Sequence, residues 1–464
     1  MKQGKIKNII LIAMVLVCIY LSSNVWLKLP DFLEYKKEAG ENESQDETIA
    51  ADIWNVVRPI KNVIKYNDSY TVTYSDEQDM WGKTVHVIND AFDDFANASI
   101  NESGAFPSKY LKFDFKTSIP VEIFTGNMKI ANKEINNIVK SIKNVIIDLD
   151  NANSIYIYNG ENTVKIQSSS INTQEIAGIA KTLDFSSETQ YAFDQKVGEE
   201  TIQVPIPLVN NALNPVFVQS ELDVFDTEKI NQIAKKYFKN NYDYVRKSVE
   251  VSGTTVFMYR TEKVLKINSD GLLDFYDTTA ELENSSNVYE NLVTAVNFTE
   301  EFLGFPKDVY LSDVEVIEYD GNYGDRFTFS YKILKRPILF SKVRENAALQ
   351  IDVVGDSVIS YKRFIRDIDE SQKGKQSVIE ILPAVEVIMR NLDDKPSTQG
   401  PGEIPELKPL KKDIIKDISN IYLGYFDLSR ISKEQVLRVV WVVEAGDKTY
   451  IFNAITGALI EEWQ

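Results

Sequence analysis

The sequence predicts an α+β fold in which a single N-terminal transmembrane helix precedes an ectodomain of about three domains, built from antiparallel sheets and packed helices. Three observations predict it. Residues 8–27 are twenty positions without a formal charge, enough at about 1.5 Å per residue to cross roughly 30 Å of hydrocarbon. Short runs such as LKFDF (111–115) alternate, with Leu111, Phe113 and Phe115 facing one way as in a half-buried strand. Between such runs lie segments of helical period, as at Ile230, Ile233, Ala234, Tyr237 and Phe238.

Residues 1–7 form a lysine-bearing tail. The span 8–27 is too long for a signal-peptide core of roughly 7 to 15 apolar residues, and it exits through bulky Val25, Trp26 and Leu27 instead of a small-x-small cleavage site. Tyr20 and Trp26 suit the water interface, so the segment reads as a retained anchor. Lys2, Lys5 and Lys7 are more closely grouped than Lys28, Lys36 and Lys37, which favours a cytoplasmic N-terminus, with the bulk of the chain on the extracellular side of the cell membrane. Residues 28–52 are charged, lack an apolar period after Tyr35, and read as a stalk.

An N-terminal α+β domain is expected over 53–220. Its strands are TVTY (71–74), KTVHVI (83–88), LKFDF and IYIYNGENTVKI, the last carrying Asn159-Gly160 as a hairpin turn. Helices are expected at 89–98 and 172–181. Pro205, Pro207 and Pro215 then mark a boundary near 220. A middle α+β domain (221–370) and a C-terminal one (371–464) repeat a theme of amphipathic helix followed by strands. Asp226 is placed to cap the first of these helices, and Ser286 or a neighbour the second. The third runs through Val378, Ile381, Leu382, Val385, Ile388 and Met389, with Pro383 either kinking it or marking its true first turn. Each round closes on a strand, a turn from Asn or Asp to Gly, and a strand: Asn268 to Gly271, Asp352 to Gly355, Asn453 to Gly457. Such turns are architecture first.

Charge and cysteine content restrict the function classes. The chain carries a net −18, which becomes −22 when the four lysines before Leu29 are set aside. So acidic an exterior argues against nucleic acid or anionic lipid as a ligand. The single cysteine, Cys18, lies inside the apolar span, so the remainder folds without disulfides. With one histidine, His86, and no cysteine outside the span, metal clusters of those ligands are excluded. His86 sits in KTVHVI and reads as a mid-strand residue, not as the base of a triad. DGNYGDRF (320–327) lacks the lysine and following helix of a phosphate loop and reads as a hairpin. Asp148, Asp150, Asn151 and Asn153 read as a turn between strands, lacking the glycine and distal glutamate of a calcium loop. Acidic pairs such as Glu315 with Glu318, or Asp93 with Asp94, read as solvated faces, which leaves a carboxylate-based hydrolase as a minor alternative. No cofactor and no catalytic or metal-binding residue is expected.

The lysine-bearing tail, the span KNIILIAMVLVCIYLSSNVW, the early IWNVVRPIKNVI and the ending VVWVVEAGDKTYIFNAITGALIEEW together resemble the YycH family of extracytoplasmic regulators in Gram-positive bacteria. The latter part is similar to YycI-like and PepSY-like domains. The resemblance implies a non-enzymatic membrane protein that associates with a YycI-type membrane protein and with a sensor histidine kinase of the YycG or WalK type, and so modulates cell-wall homeostasis. Inhibition is the expected sign, with activation as the alternative. Ala13, Val17, Tyr20 and Asn24 share one helical face and form the candidate stripe for packing against partner helices. The plainer account turns that face to lipid, with Tyr20 and Asn24 at the interface. The rival function class is a wall-associated protein that binds glycan or a cationic polymer.

Overall fold

Alternation along the chain is realised as two large sheets. The computed structural model describes residues 52–463 apart from 67–68, 77, 104–105, 183–188, 193–194, 198–199, 203, 209–211, 214–215, 279–286, 343–346, 373–378, 394–409 and 429–433. The expected tail, the span 8–27 with Ala13, Val17, Tyr20 and Asn24, and the stalk through 51 lie outside these residues. No helix among the described residues is long and apolar enough to cross a membrane.

The first sheet has nine strands, each antiparallel to its neighbours, with Lys61–Tyr66, Tyr110–Pro120 and Ser141–Asp148 at its centre. In Tyr110–Pro120, Leu111, Phe113 and Phe115 are buried under the helix Met80–Asp93, whose Trp81 ring lies 5.5 Å from Phe113 and 5.2 Å from Phe115. That helix corrects the expectation of a strand at KTVHVI. Its β-branched residues favour strand locally, but Met80, Trp81, Thr84, Val85, Val87, Ile88, Ala91 and Phe92 are buried at helical spacing. The Asp76 carboxylate accepts from Met80 N at 2.7 Å and Trp81 N at 3.0 Å, satisfying two donors of the first turn. The helix ends at Asp93, and a 3₁₀ turn follows at Phe95–Asn97.

The second sheet begins with antiparallel hairpins. Lys263–Ile267 pairs with Leu273–Asp277, and Leu349–Val354 with Ser357–Arg363, through the expected turns. Gly271 takes φ 93°, and a Cβ there would stand 2.7 Å from Ser220 Cβ and 2.8 Å from Leu222 O, so glycine is required twice over. The helix Thr227–Phe238 starts at Asp226, whose side chain accepts from Lys229 N. The helix Val288–Phe302 starts at Asn287, in a reciprocal capping box with Glu290. Arg336–Phe340 then continues the sheet by pairing in parallel with Ile418–Asp427. Val216–Ser220 inserts between Glu434–Ala445 and Arg366–Ile368, so chain from before residue 221 completes the C-terminal part of the sheet. The last helix is shorter than its sequence period: it spans Ala384–Arg390, with Pro383 immediately before its first residue. Lys448–Asn453 and Leu459–Trp463 form the closing hairpin, where Asn453 Oδ1 accepts from Ile455 N and Thr456 N.

Candidate functional site

Residues Ile49–Gln464 form one compact unit, and inside it the two sheets meet along a charged seam. Its first wall comes from Tyr110–Pro120. Since Leu111, Phe113 and Phe115 face the helix, Lys112, Asp114 and Lys116 project from the opposite face. The second wall is the paired strands Ile418–Asp427 and Glu434–Ala445, which supply Asn420, Tyr422 and Glu444.

Across the seam the Lys116 ammonium pairs with Glu444 Oε1 and lies 5.8 Å from the centre of the Tyr422 ring. Asn420 Nδ2 donates to Glu444 Oε2 at 3.0 Å, and Tyr422 OH donates to Glu444 Oε1 at 3.3 Å. Lys61 donates to Asn420 Oδ1 and sits 3.5 Å from Asp114, which also accepts from Asn144 Nδ2 at 2.8 Å. Lys143 Nζ donates to Lys116 O at 2.7 Å. The charges set one another's titration. Burial alone would raise Glu444, but Lys116, its hydrogen bonds and Lys61 hold its carboxyl at about 2. Burial opposes ionisation of Asp114 in the same way, and Lys112, Lys61 and Lys143 keep it below the ordinary carboxylate range. Burial pulls Lys61 and Lys143 down, each partly offset by Asp114.

A large and a smaller cavity open on this seam. The larger, about 720 Å³, is lined by Lys112, Asp114, Lys116, Lys143, Glu161 and Glu444 together with aromatic Phe106 and Tyr158. The smaller, about 280 Å³, is lined by Lys61 and by residues around Arg58, Asp76 and Lys332. Lys332 Nζ donates to Tyr74 O at 2.9 Å, a second tie between the sheets.

The residues singled out from sequence are elsewhere. His86 is on the exposed face of its helix, so its expected place within a strand is corrected along with the strand. The Asp148 side chain accepts from Asp150 N at 2.9 Å and Asn151 N at 3.1 Å, which makes the local cluster a turn. Asp94 accepts from Ser168, Ser170 and Asn97, whose hydrogen bonds lower its carboxyl. Glu315 lies 3.8 Å from Arg326 near a hairpin end. No group of three His, Cys, Asp or Glu among the described residues could hold a metal ion. Sequence reasoning missed the seam, although Lys112, Asp114 and Lys116 at period two are visible as the polar face of LKFDFK.

Residues 4–187 match the family model described as YycH protein, N-terminal domain. The crystal structure of YycH from Bacillus subtilis superposes with a TM-score of 0.54 at 16% identity, covering 90% of this chain and 99% of that one. An uncharacterized protein from Eubacterium rectale overlaps with a TM-score of 0.36 at 14% identity, over 56% of this chain and 90% of that one, a likeness too slight to carry an argument. No curated protein matches. The shared architecture defines the class: an α+β protein of antiparallel sheets and helices with the fold of the Bacillus subtilis structure. Over residues 4–187 the chain is similar to the N-terminal domain of the YycH family.

Proposed function

We propose that the chain is a single-pass membrane protein whose extracellular body binds a sensor histidine kinase of the YycG or WalK type, together with a YycI-type membrane protein, and lowers the kinase's activity in cell-wall homeostasis. The family match over residues 4–187 carries this proposal, since it takes in both the charge-free span and most of the first sheet. An anchor beside the kinase raises the effective concentration of each partner, so modest contacts outside and helix packing within the bilayer combine. A bias of the kinase's two states by one or two kcal/mol, on the order of typical coupling energies, then suffices for regulation.

The seam fits a binding body better than a hydrolase. A two-carboxylate hydrolase needs one acid with a raised pKa, whereas Asp114 and Glu444 are both held ionised by lysines.

Two experiments test the proposal. Replacing residues 8–27 by a leucine span that still anchors is expected to alter kinase output through lost helix contacts, and unchanged output removes the helix from the mechanism. Purification of the tagged full chain from membranes is expected to bring the kinase with it, and its repeated absence overturns the proposal. A second function, wall-glycan binding, has one observation in its favour. Phe106 and Tyr158, rings 6.0 Å apart, stand in the 720 Å³ cleft beside carboxylates, an arrangement suited to sugars. Retention of the full chain on purified wall glycan, lost in Tyr158→Ala, would favour that function.

A further inference from the structure

The smaller cavity runs against the charge of the rest of the chain. Its lining has five cationic side chains, Arg58, Lys61, Lys307, Lys332 and Lys335, against two carboxylates, Asp76 and Asp308, in a protein of net charge −18. One of those carboxylates is already engaged, because Asp76 accepts from the first turn of the helix Met80–Asp93. Among the described residues, the Arg58 guanidinium meets no carboxylate and no hydrogen-bond acceptor, and the charge it faces at Lys332 has its own sign. Two facing cations, offset at Lys332 only in part by Asp308 and Asp76, are a costly arrangement for a folded chain to keep.

A second, independent observation concerns Asn62, which also lines the cavity. It is 3% exposed, and its carboxamide oxygen meets no donor. A buried acceptor left unpaired costs free energy that a ligand hydroxyl would recover. The cavity's 280 Å³ corresponds to about nine liquid waters at roughly 30 Å³ each, room for a phosphate and a few carbons.

We propose that this cavity is a binding site for a phosphate group, in which Arg58 and Lys332 hold the anionic oxygens and Asn62 accepts from a hydroxyl on the phosphate or its ester. Arginine offers a planar fork that matches two phosphate oxygens, and the lysine adds a point charge. The ligand bridges the sheets, since Arg58 and Asn62 belong to the first sheet's side of the seam and Lys332 to the strand Asn322–Ile333 of the second. Occupancy would therefore clamp the two halves together. This site stands whether or not a kinase is the target.

The full chain purified in detergent is titrated with inorganic phosphate and with glycerol phosphate, against chloride at equal ionic strength, and followed by thermal unfolding and calorimetry. The expected result is saturable binding and a raised melting temperature with both phosphates, weakened at least tenfold in Arg58→Gln, largely kept in Arg58→Lys, and unchanged in Lys165→Gln on the first sheet. Should Arg58→Gln fail to fold, Lys332→Gln and Lys307→Gln carry the same comparison. The source of the phosphate is separated by placing the chain in nanodiscs of phosphatidylglycerol or phosphatidylcholine. Loss of the phosphate response only in the former identifies a lipid headgroup, and an equal response in both identifies a free phosphate ester. A response no larger than that to chloride, or the same affinity in wild type and Arg58→Gln, overturns the proposal.

Discussion

The Arg366 guanidinium and the Asp427 carboxylate meet at 2.7 Å with both side chains fully buried. Around them converge four strands of the second sheet. Arg366 Nη1 donates to Ser220 Oγ at 2.9 Å, while Tyr331 OH accepts from Arg366 N at 2.7 Å and donates to Arg366 O at 3.1 Å. One residue along the chain from Ser220, Glu221 accepts two bonds of 2.7 Å from Arg363. The pair therefore fixes the place where the inserted strand Val216–Ser220 joins the sheet. Removing one partner leaves a buried charge alone, a loss of about 3–5 kcal/mol. Asp427→Ala is expected to fall in that range by denaturant unfolding of the full chain, and Arg366→Met combined with Asp427→Leu to recover much of it. A loss below about 1 kcal/mol in the single variant contradicts this.

Glu444 makes the seam acid-sensitive. Its folded pKa of about 2 lies below its ordinary 4.5, and its side chain is only 20% exposed. A depressed carboxyl contributes stability that is complete above the unfolded pKa and lost as pH falls through the folded one. The contribution is about 3 kcal/mol, fading between pH 4.5 and 2. Denaturation at a series of pH values is expected to show a gap between wild type and Glu444→Gln that is widest above pH 5 and closes toward pH 2. A gap independent of pH would mean that the charge of Glu444 is immaterial.

What was legible in the sequence follows the distance over which each signal acts. Asn159-Gly160, Asp226 and the Asn-to-Gly turn at Asn453 act within four residues of themselves, and each turn or cap forms where its residues stand. At KTVHVI two local signals conflicted. The β-branched residues argued for strand, but the wider period and the Asp76 cap decided for helix. The candidate site lay further out of reach. LKFDFK shows that Lys112, Asp114 and Lys116 share a face, yet nothing near them indicates that Asn420 and Glu444, more than 300 residues away, would bury it. Insertion of Val216–Ser220 beside Glu434–Ala445 is likewise a long-range pairing that no local period announces.

Gly126 and Tyr289 mark another contact within the compact unit. A Cβ at Gly126 would stand 2.4 Å from Tyr289 Cγ and 2.6 Å from Cδ1, so the helices Val121–Asn127 and Val288–Phe302 approach as closely as glycine permits. Helix propensity alone favours alanine over glycine by about 1 kcal/mol. Overpacking reverses the sign, and Gly126→Ala is expected to destabilise by about 1–3 kcal/mol. Combining it with Tyr289→Ser should relieve most of that penalty in a double-mutant cycle. A stabilising Gly126→Ala would show that the two helices part without cost.

Lys332 supplies the sharpest separation of stability from binding. Burial first, and Arg58 second, bring its ammonium down to about 8 from 10.5. Between those values the unfolded chain holds the proton more tightly than the folded one, so stability rises as pH rises through this window. Below pH 8 the charged lysine is a burden of about 3 kcal/mol, reduced by about 1 kcal/mol for its bond to Tyr74 O. Lys332→Met is therefore expected to be more stable than wild type at pH 7, with the advantage shrinking toward pH 10.5. The same variant should lose the phosphate response, because the charge that strains the seam is the one that holds the anion. A phosphate-bound wild type should in turn lose its gain in stability above pH 8, as the anion restores the lysine's proton affinity. Urea titrations at pH 7 and pH 10, with and without phosphate, read all of these at once, and a Lys332→Met protein less stable than wild type at pH 7 would mean that the ammonium is already compensated.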